Sequence, residues 1–307
     1  MHLKTSVFLI SFFLLFSSIS TIPVLSTHIE TKSGITWYVD ANGESNYTRI
    51  QDAIDNASDS DTIFVYNGCY MENIIIDKSI ELTGENRTNT IITGMGTKST
   101  IINILSDRVT INNFTIQNGQ IGIEVSSSSN TISRNHIKNH KFYGIYQNCS
   151  SGNLISKNVF ADNDIGIMLF ATKHNNIKTN ILENNTWYGL LISASAANNI
   201  MTNSFVNNDR GIGLMASMGN RIKKNNFINN DLDALFRNNL MGYIIYNFPR
   251  YSMHLIRNIW LHNYWDECSL HDPKVINGMI ETGRYSETPW INIDWYPSHE
   301  PFEVDTD

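Results

Sequence analysis

Cysteine is nearly absent. Cys69, Cys149 and Cys268 lie far apart and are odd in number, which argues against both a disulfide framework and a closely spaced zinc site. Cationic charge is also short. Lys and Arg total 22 against 29 Asp and Glu, a net charge of −7, so no polyanion-binding surface is implied and nucleic acid is not an expected partner. Beyond the N-terminus no apolar run is long enough to cross a bilayer. Helical 3.6-residue periodicity is missing from most of the chain, which removes the helical repeat classes.

What is present is a repeat. From Asn130 to Asn239 one pattern is written five times, opening at Asn130, Asn153, Asn175, Asn198 and Asn220 with spacings of 23, 22, 23 and 22 residues. Two residues on stand Ile132, Ile155, Ile177, Ile200 and Ile222. Next come Asn135, Asn158, Asn180, Asn203 and Asn225, then Ile137, Phe160, Leu182, Phe205 and Phe227. Gly144, Gly166, Gly189 and Gly211 open a further apolar pair, with Asp233 in the last copy. A fixed period of this size marks a repeat architecture. Apolar residues alternate within each unit, as in strands with one buried face. Short strands separated by Asn, Gly and Asp corners fit one coil of a parallel β-helix. Leucine-rich repeats have a similar length, but their pattern is absent.

Stacked coils place equivalent residues ~4.8 Å apart. A buried amide left unpaired costs roughly 1–3 kcal/mol, whereas a column of Asn side chains satisfies itself. Asn135 through Asn225 are therefore read as structural. The column begins after Phe114, which takes its position one coil earlier with Ile111, Ile116 and Gly122 in register, and the spacing extends it to Asn247 through Ile244.

At the N-terminus, His2 and Lys4 precede the apolar run Val7 to Phe16, then Ser17 to Ser20 and Val24-Leu25-Ser26. Residues 1–26 read as a secretory signal cleaved after Ser20 or Ser26. The alternative is an uncleaved anchor, the sole route to a membrane. Residues 34–60 hold a strand at Trp37–Val39 and a short helix over YTRIQDAIDNAS, with Thr48 and Gln51 as a capping box and Ile50, Ala53, Ile54 and Ala57 on one face. Laid over the open end of a β-helix, such a helix covers its exposed edge. Coils run over 61–258. About nine coils make a rod roughly 40 Å long. Residues 259–307 hold Trp260, Trp265, Trp290 and Trp295 and break the pattern. This segment is expected to be an aromatic-rich C-terminal cap. Six N-x-S/T sequons, at Asn46, Asn56, Asn86, Asn113, Asn148 and Asn184, are candidate glycan acceptors in a secreted chain.

The opening strand, the YTRIQDAID helix, the DTIFVYNGCYMENIIIDKSIELTGEN run, the N-x-I-x-x-N coils and the NYWDE…DWYPSHEPF ending together resemble archaeal secreted NosD-like β-helix proteins. The resemblance covers nearly all of the mature chain. It implies an all-β, single-stranded right-handed parallel β-helix of a type shared by carbohydrate-binding proteins and sugar hydrolases. A fold does not fix an activity.

Four chemistries are open to a β-helix of this kind. The motifs by which β-helix polygalacturonases resemble one another are missing except Arg221-Ile222-Lys223, whose Ile222 is a repeat core position. Hydrolysis needs two carboxylates flanking one bond. Asp162, Asp164, Asp209, Asp231 and Asp233 are available, but all sit at corners and read as turn residues. A lyase needs a Ca²⁺ cluster and a base, approached only by Asp162, Asp164, Asp209 and Arg210. The NosD resemblance implies copper, for which Met168, Met201, Met215, Met218, His136, His140 and His174 are the soft candidates. They lack ligand spacing, so neither metal nor cofactor is expected. The fourth is passive binding of a polysaccharide or cell-surface glycan. The corner before each glycine carries Phe142-Tyr143, Asp164-Ile165, Trp187-Tyr188 and Asp209-Arg210. Aromatic pairs thus recur every second coil, about 10 Å apart, and aromatic faces with polar rims suit sugar rings. Tyr146, Met168 and Leu191 extend the stripe. The candidate sugar site is therefore Phe142, Tyr143, Asp164, Trp187, Tyr188, Asp209 and Arg210 on a non-catalytic secreted scaffold, with a polysaccharide lyase or hydrolase as the alternative.

Overall fold

The computed structural model describes residues 34–94, 99–239, 258–266, 272–283 and 286–306. The N-terminal signal or anchor segment, Asn247 and Cys268 lie outside them. Among the described residues, no helix is long and apolar enough to cross a membrane.

The chain winds into three sheets of ten, nine and ten strands, parallel throughout except for the last strand, Ser286–Asp294. Each coil contributes one strand to each sheet, paired with its equivalents on the adjoining coils, and the two tenth strands are Thr36–Val39 before the first coil and Ser286–Asp294 after the last. Nine coils stack in this way, the first at Thr62–Ile76 and the last at Ile259–Gly283. The architecture is a parallel β-solenoid. The sequence period is the register: Ile132 pairs with Ile155, Ile155 with Ile177, Ile177 with Ile200 and Ile200 with Ile222. All five are buried in the core. A second inward column runs Ile137, Phe160, Leu182, Phe205 and Phe227. The Phe205 and Phe227 rings stack with centroids 4.9 Å apart.

Corners are made by left-handed residues, each leading into a ladder residue. Arg134, Lys157, Thr179, Thr202 and Lys224 all have φ between 52° and 59°, and each precedes a ladder asparagine. For a β-branched residue such as Thr179 this conformation is costly. The ladder holds it in place. Asn158 Oδ1 accepts from the backbone N–H of Asn135 at 2.9 Å and from Asn135 Nδ2 at 3.2 Å. Its own Nδ2 donates to the Ile132 carbonyl at 2.8 Å and to Asn180 Oδ1 at 3.1 Å. Every step repeats this exchange, so the amides are paired without water. Phe114 stands at the head of the column, its N–H donating to Asn135 Oδ1 at 3.1 Å.

Two further ladders occupy the other corners. Asn130, Asn153, Asn175, Asn198 and Asn220 are bonded in series. The third runs His140, Asn163, Asn185, Asn208, Asn230. The glycine column has a steric cause. A Cβ on Gly144 would lie 2.6 Å from the Gly166 carbonyl oxygen, and one on Gly166 would lie 2.7 Å from that of Gly189.

Three expectations are corrected. Asn225 is followed in its column not by Asn247 but by Asn263, 38 residues on. The coil also continues past 258. Trp260 takes the position after Ile222 and Trp265 the position after Phe227, with the Trp265 ring 4.2 Å from that of Phe227. These two tryptophans therefore fill the ninth coil. Lys274–Gly283 then adds to the third sheet and Ser286–Asp294 returns antiparallel beside it. Finally, no capping box forms. The helix Ile50–Asn56 has no side-chain bond at its N-cap Arg49. Buried Glu72 instead accepts from the N–H groups of Ile50 at 2.8 Å and Gln51 at 3.1 Å. A carboxylate from the first coil thus supplies the cap that a local hydroxyl was expected to supply.

The last residues run lengthwise over the coils. The Ser298 N–H donates to the Asn263 carbonyl at 2.8 Å. Phe302 exchanges two hydrogen bonds with the Asn226 side chain, at 2.7 and 2.8 Å. Asp305 reaches Lys157 at 3.6 Å, and the Thr306 carbonyl accepts from Arg87 at 3.0 Å.

Candidate functional site

The seven residues singled out for sugar binding fall on two adjacent rows of one corner. Tyr143, Ile165, Tyr188 and Arg210 are direct partners on successive strands of the third sheet. Phe142, Asp164, Trp187 and Asp209 precede them one residue earlier. Their backbones are bonded in the same series: Ile165 N–H to the Phe142 carbonyl at 2.8 Å, Trp187 N–H to that of Asp164 at 2.8 Å, and Arg210 N–H to that of Trp187 at 2.9 Å.

The geometry explains the 23/22 alternation in spacing. From the third-ladder residue to the next glycine, coils four and six run His140-Lys141-Phe142-Tyr143-Gly144 and Asn185-Thr186-Trp187-Tyr188-Gly189. Coils five and seven run Asn163-Asp164-Ile165-Gly166 and Asn208-Asp209-Arg210-Gly211. The extra residue of each longer coil falls at this corner and nowhere else. The third ladder fixes one side of the bulge and the close-packed glycine column the other, so the added residue goes outward. It carries an aromatic with it: Phe142 is 48% exposed and Trp187 is 56% exposed.

The neighbouring groups differ along the row. The Tyr143 and Tyr146 rings stack 5.2 Å apart. Desolvation raises the Tyr146 phenol above its ordinary range, with Tyr143 and Glu124 adding to the effect. Two coils on, the Arg210 guanidinium lies 5.2 Å over the Tyr188 ring and pairs with Asp209 at 2.9 Å. Gly213 leaves the room that Tyr188 uses, since a Cβ there would lie 2.6 Å from its Cε1. Asp164, between the two aromatic coils, is held above the usual carboxylate range by desolvation. It makes no ion pair or side-chain hydrogen bond among the described residues.

Beside the row, the corner opens into a polar recess of about 420 Å³ lined by Asn184, Thr186, Asn207, Asp209, Asn229 and Asp231 with ladder amides at its floor. A signal for this recess is present in the sequence: an Asn or Asp stands four residues past the asparagines of the first ladder, as at Asn184, Asn207 and Asn229 after Asn180, Asn203 and Asn225. It was not singled out because each reads singly as a turn residue. Asp162 is such a residue, at φ 56°. Asp233 is also buried, and desolvation raises its carboxyl while Lys274, 3.1 Å away, opposes the rise.

Residues 54–269 match the family described as periplasmic copper-binding protein (NosD). The chain belongs to the NosD family. A second relative is a cell surface glycoprotein of Methanothermus fervidus, 32% identical over 111 residues. That match covers 34% of this chain and spans only 18% of the relative's length. Among solved structures, pectate lyase Pel9A is similar with a TM-score of 0.55 at 15% identity, over 67% of this chain and 70% of its own. The Dettilon tailspike protein gp208 follows at 0.50 and 14%, over 70% and 45%. These likenesses show a shared solenoid fold.

The NosD name raises copper, and the described side chains do not fit it. His140 has both ring nitrogens engaged, Nδ1 with the Gly119 N–H at 3.2 Å and Nε2 with the Ile116 carbonyl at 3.1 Å. It is the histidine variant of the third ladder. His136 is kept neutral-leaning by desolvation and by Lys138 and Arg87. The Met201 sulfur accepts a hydrogen bond from Asn199 at 2.9 Å, and Met168 lies between Tyr146 and Leu191 on neighbouring strands. Among the described residues, no three His, Cys, Asp or Glu side chains come together as a metal site.

Proposed function

We propose that this NosD-family protein is a secreted or cell-surface module that binds a polysaccharide or glycan along the Phe142–Arg210 corner without transforming it. One observation carries the reading: the extra corner residue recurs in alternate coils, and each time it pushes out an aromatic. An insertion that served only packing would have no reason to expose Phe142 and Trp187. Exposed rings two coil spacings apart, about 10 Å, with amides and carboxyls between them, offer stacking faces and hydroxyl partners to a linear chain of sugars. The name of the Methanothermus fervidus relative supports a surface location, and the pectate lyase likeness is compatible with a carbohydrate ligand.

The catalytic alternative has less support. Asp209 and Asp231 both line the recess, but they occupy equivalent positions on successive coils. Hydrolysis asks for carboxylates facing each other across a bond.

The test is a glycan array probed with the secreted chain, with and without Ca²⁺. The expected result is retention of one glycan class, weakened at least about tenfold by Trp187→Ala with an unchanged unfolding midpoint. Binding insensitive to Trp187→Ala, or no binding at all, overturns the proposal. Release of new reducing ends or unsaturated products overturns its non-catalytic part.

A further inference from the structure

The charges of the row narrow the ligand. The outward corners of coils four to eight present Asp162, Asp164, Asp209 and Asp231, and among the described residues the cations beside them are Lys138, Lys141 and Arg210, with Lys138 next to Asp162. Arg210 is already committed, paired with Asp209 at 2.9 Å and lying over Tyr188. Lys141 stands at one end of the row, beside Phe142. Asp164 lies midway between the two exposed rings and, among the described residues, has no cation against it. The adjoining recess is walled by amides, a hydroxyl and the carboxylates of Asp209 and Asp231. Such a surface donates and accepts hydrogen bonds to hydroxyls. It has no free cation between the rings to receive an acid.

We infer that the row takes an uncharged polysaccharide and discriminates against polyuronates, with Asp164 as the specificity-determining residue; this rests on the binding function proposed above. The argument is one of register. Rings alternate with carboxylates, each type recurring every second coil at about 10 Å, the reach of a disaccharide. A polymer with a carboxylate on every sugar must therefore bring one opposite Asp164 whichever sugar stacks on Phe142 or Trp187. Like charges brought together in a partly desolvated place are repelled more strongly than in bulk water. An uncharged polymer meets only hydrogen-bonding partners there.

The experiment presents the full chain with mannan and β-glucan oligosaccharides as uncharged probes, and with oligogalacturonate and alginate oligosaccharides as charged ones, at low and high salt. An uncharged probe should bind with little dependence on salt, and both polyuronates should bind at least about tenfold more weakly at low salt. Asp164→Asn should narrow the gap at low salt, raising the affinity of the polyuronates at least about tenfold relative to that of the uncharged probe. Polyuronate binding equal to or tighter than that of every uncharged probe, or no relief in Asp164→Asn, overturns this inference and leaves glycan binding standing. Failure of every probe to bind overturns both.

Discussion

Asn263 Nδ2 donates to Asp294 Oδ2 at 2.9 Å, and so does the Asn263 backbone N–H. The column of amides therefore ends on a carboxylate, a group that accepts without needing to donate. Trp265 Nε1 meets the same oxygen at 3.3 Å, and His262 N–H meets Oδ1 at 3.1 Å. Asp294 is fully buried.

Asp294→Ala should therefore cost about 3 kcal/mol, since several buried donors lose their acceptor together. Denaturant unfolding would measure the loss. Hydrogen exchange should show it concentrated in residues 259–265, with the central coils still protected. A loss below about 1 kcal/mol would mean that water or another group replaces the carboxylate.

His140 makes the solenoid acid-sensitive at one point. Burial lowers its pKa from 6.5 to about 4, with its bonds to Ile116 and Gly119 opposing the shift. The unfolded chain thus binds a proton near pH 6.5 that the folded chain refuses until about 4. The associated stability is complete above pH 6.5 and is lost as pH falls through that window, on the order of 3 kcal/mol in all. His140→Asn restores the residue type of the rest of its ladder. It should flatten the dependence of the unfolding midpoint on pH between 6.5 and 4. An unchanged slope would show that other groups set the acid sensitivity.

Gln147 interrupts an apolar column. It pairs with Val125 and Leu169 on the strands to either side and is completely buried. Its Nε2 donates to Asn175 Oδ1 at 2.7 Å, but its Oε1 has no partner. Asn175 Oδ1 also accepts from the Asn153 N–H, so it stays satisfied if Gln147 is lost. Gln147→Leu should raise stability by about 1 kcal/mol with an unchanged denaturant slope. A decrease would assign the glutamine a structural role in the ladder.

The corner insertion can be removed. Deleting Thr186 turns a 23-residue coil into a 22-residue one like its neighbours, and three ladders remain to hold the register. The expected outcome is a folded protein with native far-ultraviolet circular dichroism and reduced Trp187 exposure to a quencher. Glycan retention should fall as it does in Trp187→Ala. Loss of folding would mean that the longer corner is required by packing.

The columns were legible in the sequence because a solenoid writes its contacts as a period. Ile155 faces Ile177 for the same reason that they are 22 residues apart. The third ladder was harder to see. His140 heads it, and the corner after it varies by one residue, so the pattern blurs where the site is built. The ninth coil was hidden by length. The 38 residues from Asn225 to Asn263 exceed a coil, and tryptophans fill positions that elsewhere hold isoleucine and phenylalanine. The helix cap could not be read locally, because the acceptor is Glu72, about one coil downstream. The alternation of rings was visible as composition. That the extra residue of each long coil lies under those rings required the corner geometry.

An array of identical layers, each touching only the layers beside it, tends to peel from its ends. The tail that leaves Asp294 changes this. From Ser298 at the ninth coil, through Phe302 at the eighth, to Thr306 and Arg87 at the second, one short peptide is fastened to layers that otherwise never meet. Lifting the last layer must then tear loose an attachment near the first, so loss of structure at one end is resisted from the other. A chain ended after Pro297 should for this reason let the ends open independently, without a single strand of the solenoid having been cut.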